Sequence, residues 1–349
     1  MHVERFDAGT DRDVVGACHE MHVAAMPVDV PGEPPMSDRV FAGWMRMHWT
    51  GDRKENWLAR DAAGAPCGWY SLVLPGRENT HLAYLDPLVG LPYRRQGIGT
   101  ELVRHAAGRA HEEGRAMLVA DATLGSPGDG FSRALGARAG MAEASRVLHV
   151  RAIADGHLAR LRARAQASAH GYSLLSWQGP VPDRYTGQAA ALHQDGEDAP
   201  LDEGHERKHW DAARVRAAER LAADQGMRLY SVAARHDRTG ELVALTEVEI
   251  DPQLPDWGYQ CLTVVTRAHR GHRLGLLVKV AMLEMLAGHE PRLERIVTGN
   301  ADANEHMIAI NTELGYQVLD HWLSWELAVA DVLARPPGDG AARSGAAQS

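Results

Sequence analysis

The chain has 349 residues and a net charge of −9, from 37 basic and 46 acidic side chains. At roughly 150 residues per domain, that length predicts two domains or one large one. With 45% hydrophobic and 24% charged residues the chain is not generally disordered, and its acidic balance argues against a nucleic-acid surface, which needs concentrated basic charge.

In chain order, helix spacing of apolar residues predicts helices over Asp11–Met26 and Val40–Trp49. Four prolines between them (PVDVPGEPPMSD) predict a loop, which reads either as a substrate lid or as a plain connector over Val28–Pro35. Strands follow at Asn56–Arg60 and Cys67–Leu74 around the turn DAAGAP, then at His81–Val89. A helix begins at about Gly99, with Leu102, Val103, Ala106, Ala107 and Ala110 on one face. Ala116–Ala120 reads as a strand and Asp129–Leu135 as a helix. Ser145–Arg151 reads as the strand that closes this half. Ala154–His170 predicts an Ala/Arg-rich helix, read as a solvated connector.

The second half repeats the order. Strands are predicted at Tyr172–Trp177, Arg228–Ala234, Leu242–Ile250, Gly258–Val265, Arg295–Thr298 and His321–Leu327. Helices are predicted at Ala212–Ala223, Leu274–Ala287 and Asn304–Leu314, the last with Asp302 and Glu305 as a capping box. The tail after Ala334 (RPPGDGAARSGAAQS) has no large apolar residue and is expected to be disordered. The domains expected are 1–152, a connecting helix 153–170, 171–330, and a tail 331–349.

Three cysteines (Cys18, Cys67, Cys261) stand far apart with no CxxC pair. Neither a disulfide scaffold nor a cysteine zinc site is expected, and a reducing, cytoplasmic setting is. Only Lys54, Lys208 and Lys279 are lysines, so 34 of the basic residues are arginine; with the abundant Ala and Gly, this reads as a GC-rich coding genome. The charged N-terminus is not expected to be a signal peptide, and Leu276–Ala287 is too short to span a bilayer.

Two segments anchor the internal repeat. One runs from Val89 through Arg94-Arg95-Gln96-Gly97-Ile98-Gly99; the other runs from Val265 through Arg270-Gly271-His272-Arg273-Leu274-Gly275. Their arginines, Arg94 and Arg270, lie 176 residues apart. A strand, then Arg-x-x-Gly-x-Gly, then a helix aims unpaired backbone N–H groups and a helix dipole at one point, which favours a phosphate or pyrophosphate. Gly97 and Gly99 leave room for close approach, and Arg94 and Arg95 can add charge-assisted hydrogen bonds. The spacing is neither that of a Rossmann fingerprint nor that of a P-loop.

Residues 94–99 resemble the acyl-CoA motif of the GNAT acetyltransferase superfamily, with Val89 before it and Leu102 after it. The second half resembles a GNAT unit of tandem actinobacterial acetyltransferases. The matching segments are Asp198-Ala-Pro200, Thr263-x-Val265, His269 to Gly275, and Thr298 to Tyr316 with Asn300, Asn304, Met307 and Asn311. One departure is Arg273, at the first glycine position of the motif.

The resemblance implies two α/β GNAT folds, each a mixed, mostly antiparallel sheet flanked by helices. It implies acetyl-CoA at Val89 and at Arg94, Arg95, Gln96, Gly97, Ile98, Gly99 and Thr100. In the second half it implies Val265, Arg270, Gly271, His272, Arg273, Leu274, Gly275 and Asn304. In the family, the strand before the motif splays open to pair with the pantetheine arm. The implied function is transfer of an acetyl group to an amine of a small molecule, natural products and antibiotics included. The alternatives are another acyl group, a hydroxyl acceptor, or non-catalytic acyl-CoA binding.

Relatives often use a tyrosine as acid four residues before the helix-closing glycine. Here those positions hold Ser132 and Asn311, and the positions of the common base hold Ala83 and Tyr259. By location, the catalytic candidates are Tyr84 and Asp86 in the first half and Glu247, Tyr259 and Thr263 in the second. His205-Glu-Arg-Lys-His209 fits HExxH, but its charged surroundings argue against zinc, and no metal ligand is assigned. His19-Glu-Met-His22 reads as a helix face. The partners expected are acetyl-CoA and a small-molecule acceptor, with no nucleic acid and no membrane.

Overall fold

A computed structural model describes residues 1–46, 51–198 and 200–335. In chain order its main elements are β1 (His2–Phe6), α1 (Arg12–Asp29), α2 (Asp38–Arg46), β2 (Arg53–Arg60), β3 (Pro66–Leu74), β4 (Leu82–Val89), α3 (Ile98–Glu112), β5 (Met117–Thr123), α4 (Pro127–Ala134) and β6 (Arg138–His149). There follow α5 (His157–Ser168), β7 (Tyr172–Gln178), α6 (Thr186–Gly196), α7 (Ala212–Gln225), β8 (Arg228–His236), β9 (Leu242–Ile250), β10 (Trp257–Val265), α8 (Leu274–His289), β11 (Arg295–Ala301), α9 (Glu305–Leu314), β12 (Gln317–Ala328) and α10 (Val329–Ala334).

Contacts divide the chain into two compact units. Of the described residues, unit 1 takes those within 1–142, 202–206 and 321–335, and unit 2 those within 143–201 and 207–320.

In unit 1, β1, β2, β3 and β4 pair antiparallel in sequence. β4 then pairs parallel with β5, and β5 antiparallel with β12. One face carries α3, whose expected stripe of Leu102, Val103, Ala106, Ala107 and Ala110 is buried against Tyr70, Leu72, Ala83 and Leu118. The other face carries α1 and α2 around Phe41, Met45, Leu58 and Trp69.

Unit 2 repeats this topology. β7, β8, β9 and β10 pair antiparallel, β10 pairs parallel with β11, and β11 antiparallel with β6. The mostly antiparallel mixed sheet expected for each repeat is therefore present twice. The strand expected to close the first half instead completes unit 2: Glu143–His149 of β6 pairs with Arg295–Ala301. The closing strand of unit 1 comes from the far end of the chain, as β12.

Helix α5 is not a free connector. Leu161 and Ala165 are buried in the unit 2 core, on α8. That cover explains why α8, apolar on nearly every side, is buried on more than the one face expected of it. α1 also runs further than predicted and includes Pro27 in its last turn, where the missing N–H costs a single helical bond. The N-cap of α9 is Asn304, whose side chain accepts from the Met307 N–H (3.3 Å), so the capping box expected at Asp302 does not form. Strand β1 and helix α10 were not predicted. The end of the helix predicted to Trp49 and the tail from residue 336 lie outside the described residues. Among the described residues, no helix is long and apolar enough to cross a membrane.

Candidate functional site

In unit 1 the parallel pairing of β4 with β5 covers only Leu82–Tyr84 against Met117–Val119. Beyond Tyr84 the strands part. A crevice of about 30 Å³ opens there, lined by Leu85, Pro87, Leu118, Ala120, Val103 and Phe131. In unit 2, β10 and β11 likewise pair over Trp257–Tyr259 with Arg295–Val297 and then part. A strand that loses its neighbour keeps backbone donors and acceptors able to pair with an extended ligand.

The two loops that follow have nearly the same backbone. Arg94 has φ −67° and ψ 156°; Arg270 has φ −68° and ψ 158°. Two left-handed residues come next, Arg95 (φ 63°) and Gly97 (φ 84°) in unit 1, Gly271 (φ 89°) and Arg273 (φ 53°) in unit 2. Glycine and arginine have exchanged places between the loops, yet the fold of the loop persists. Among the described residues, the backbone N–H groups from Arg95 to Thr100 and from Gly271 to Leu276 have no partner. Each run opens a helix, so it forms an anion-binding nest.

Several residues of the motif turn out to have structural duties. Arg94 donates through Nε to the Val89 carbonyl (3.1 Å) and through both Nη atoms to Asp29 (2.8 and 2.6 Å). Its charge is thus already engaged. Arg270 donates to the Val265 carbonyl (3.2 Å) and lies 3.7 Å from Asp198. Gly99 and Gly275 serve helix packing: an added Cβ would come 3.2 Å from Phe131 and 3.2 Å from Ile310, respectively. Around Gly97 nothing lies within 4 Å of such a Cβ, so that position is open. Arg95 and Gln96 are exposed, with Gln96 donating to the Pro92 carbonyl. Ile98 packs on the core and Leu274 is buried, so only their backbone faces a ligand. Arg273 points to Glu313 (3.7 Å). Asn311 is fully buried and donates to Asn300 (2.7 Å).

On the opposite face of the unit 1 sheet, Tyr84 and Asp86 project side by side from β4. Burial, and then Asp121, Asp52 and Asp202, push the Tyr84 phenol up to about 12. The Asp86 side chain is exposed. Desolvation raises its carboxyl and Lys54 opposes that rise. Lys54, not singled out from sequence, lies 3.4 Å over the Trp44 ring and donates to the Trp44 carbonyl (2.6 Å). Burial pulls its amine down to about 7, against the pull of Asp86.

In unit 2 the corresponding face holds Glu247 and Glu249 on β9 and Tyr259 on β10, with Tyr259 opposite Glu249. His193 of α6 stacks on Trp210 and lies 3.3 Å from Glu247. Burial, then the charge of Glu247, lift Glu249 to about 7. The exposed Cys261 sits at a β-bulge between Gln260 and Leu262, and desolvation, then Glu249 and Glu247, raise its thiol. Thr263 is taken up by a hydroxyl pair with Thr246 (2.8 Å). Glu247 and Tyr259 are candidates from sequence and Glu249 is not; the alternation Glu247-Val248-Glu249, which places both carboxylates on one face, is the signal that could have found it.

Residues 17–126 match the family model described as the Acetyltransferase (GNAT) family. No curated protein matches the chain. Among solved structures, a tandem GNAT protein from the clavulanic acid biosynthesis pathway, without AcCoA, is 28% identical, covers 94% of this chain and 98% of its own, and superposes with a TM-score of 0.79. A GCN5-related N-acetyltransferase from Sphaerobacter thermophilus (11% identity, 94% and 95% coverage, TM-score 0.64) shares the fold. So does a GNAT-family acetyltransferase from Colwellia psychrerythraea (10%, 94% and 100%, TM-score 0.55). The family-model match thus places a GNAT acetyltransferase domain at residues 17–126, and with its duplicated sheet topology the chain is similar over 94% of its length to a tandem GNAT protein.

Proposed function

We propose that the protein transfers an acetyl group from acetyl-CoA to an amine of a small molecule. The observation that carries this reading is the parted strand followed by six unpaired amides, found in both units. The unit 1 amides from Arg95 to Thr100 would hold the pyrophosphate, and the free edge of β4 up to Val89 would pair with the pantetheine arm. The unit 2 loop has the same backbone, so Arg273 does not remove that capacity. Bound acetyl-CoA supplies an acyl group already activated as a thioester.

An amine acceptor arrives protonated, and two adjacent carboxylates attract it. Glu249, poised near neutrality, suits proton removal at physiological pH; Glu247, 3.3 Å from His193, is the second carboxylate on that face. A leaving thiol with a pKa of about 8.5 departs without a strong acid, so Ser132 and Asn311 in place of a phenol do not block the reaction. Acceptor chemistry thus rests on unit 2, with Tyr259 lining the approach. In unit 1, Tyr84 and Asp86, with Lys54 in electrostatic reach of Asp86, form a second polar group. The relative from clavulanic acid biosynthesis favours a natural-product acceptor.

Calorimetry with acetyl-CoA on the wild type and on Gly97→Glu and Gly275→Glu variants tests the binding half. Loss of one of two binding events in each variant is the expected result; no binding to the wild type rules the reading out. Release of free thiol across an amine panel tests turnover, and Glu249→Gln should abolish it while acetyl-CoA still binds. Binding without any turnover would favour the non-catalytic alternative.

A further inference from the structure

The string His205 to His209 lies in irregular chain, not on a helix, so the two histidines are not placed as in a zinc protease. The fold gives His205 other neighbours within unit 1. Asp202 and His205, three residues apart on the loop, meet Glu326 of β12, with a ligand-capable atom of each within 4.8 Å of the others.

Two observations set this cluster apart from an ordinary ion pair. Nε2 of His205 and Oε1 of Glu326 are 3.5 Å apart. Among the described residues neither atom has a hydrogen-bond partner, although Glu326 is only 4% exposed. Leaving buried polar atoms unpaired is costly. The separation exceeds the usual N–H···O length of about 2.7–3.2 Å. It matches the edge of a tetrahedron built on metal bonds of about 2.1 Å, which is ~3.4 Å.

The surroundings hold both carboxylates in place. Oε2 of Glu326 accepts from Arg138, and Oδ1 of Asp202 accepts from the Met141 N–H. Gly140 makes room for Asp202: a Cβ there would fall 2.5 Å from Oδ1. The Tyr84 ring meets His205 edge-on, with centroids 6.4 Å apart. Arg138 is the cation facing the cluster, and Glu203 lies 3.9 Å from it. Two carboxylates in the cluster therefore still outweigh the local positive charge.

We propose that Asp202, His205 and Glu326 bind one divalent first-row transition ion, with zinc the best fit. One imidazole and two carboxylates make a three-ligand set of the open zinc type. Magnesium and calcium prefer all-oxygen sets. The ion would fasten the Asp202–Glu206 segment to β12 in unit 1. The site adjoins Tyr84 but uses none of the groups proposed above for proton removal or cofactor binding.

The test uses untagged full-length protein, stripped by chelator and titrated with zinc chloride by calorimetry, with metal analysis after gel filtration. One zinc per chain is expected in the wild type. His205→Ala and Asp202→Asn, both on the loop, should weaken binding about tenfold or more, and His209→Ala should leave it unchanged. Cobalt(II) should give a visible tetrahedral band that His205→Ala abolishes. Glu326→Gln adds a third arm if it folds. The proposal fails if the wild type retains no zinc. It fails equally if His205→Ala and Asp202→Asn bind as the wild type does, or if His209→Ala removes the ion.

Discussion

Arg94 and Asp29 form a two-point ion pair, 2.8 and 2.6 Å, that ties the first motif loop to the C-terminal end of α1. Both side chains are more than two-thirds buried. A motif residue with the charge to bind phosphate is thus committed to holding its loop. Arg94→Ala should lower stability by about 1–3 kcal/mol, the range for hydrogen bonds to charged groups. Asp29→Ala should cost a similar amount, and the double variant little more than either single one, as urea titration can measure. A double variant that costs the sum of the two would mean that the pair is uncoupled.

Arg273 carries a backbone strain that Gly97 does not. It holds φ 53° at the start of α8, where its counterpart is glycine at φ 84°. A non-glycine residue there costs about 1–2 kcal/mol. Arg273→Gly should therefore stabilise the protein by ~1 kcal/mol after loss of its long contact with Glu313. Gly97→Ala should destabilise it by about the same amount. Equilibrium unfolding of the two variants in parallel reads the opposite signs.

Glu249 links activity and stability to pH in opposite directions. Its carboxyl moves from 4.5 to about 7 on folding. Between those values the folded chain keeps a proton that the unfolded chain has lost, so stability falls as pH rises through that window. Glu249→Gln should match the wild type near pH 4 and exceed it in melting temperature at pH 8. The acylation rate of the wild type should rise with pH and level off above about 7. A wild-type melting curve no more pH-sensitive than that of the variant would count against the shift.

Lys279 is 2% exposed, lies 5.0 Å over the Tyr316 ring, and has its amine pulled down to about 7 by burial. It stands 176 residues after Val103, the spacing of the two motif arginines, and Val103 lines the unit 1 crevice. Because folding depresses this pKa, the penalty is full below about 7 and fades as pH rises toward 10.5. Lys279→Met should stabilise the protein by ~2 kcal/mol at pH 6 and by clearly less at pH 10. Denaturant midpoints at the two pH values decide it.

The duplication, the element order and both motif loops were legible because each rests on local pattern: a stripe such as Leu102, Val103 and Ala106, or glycines placed after a strand. Strand β1 escaped because His2-Val-Glu-Arg-Phe6 is mostly polar and exposed, with little alternation to read. Proline at position 27 misplaced the end of α1, since tertiary packing tolerates one lost bond in a last turn. The origin of each closing strand could not be read, because β-pairing depends on partners far away in sequence. The charged residues on the acceptor faces were partly visible. Lys54 and Lys279 stood out only as rare lysines in an arginine-rich chain, and lysine is the cation that can lose its proton when buried. Asp202 and Glu326 gave no signal at all, being joined only by the fold.

The source of unit 1's last strand also sets when that unit can be finished. β5 ends at Thr123 and its partner β12 begins at Gln317, so the ribosome must add nearly 200 residues after β5 before its edge can be covered. At 5–20 residues per second, that interval is roughly 10–40 s. During it, the newly made N-terminal portion exposes an open β-edge, the kind of surface that other chains can join. The slower the second repeat is translated, the longer that edge stands open.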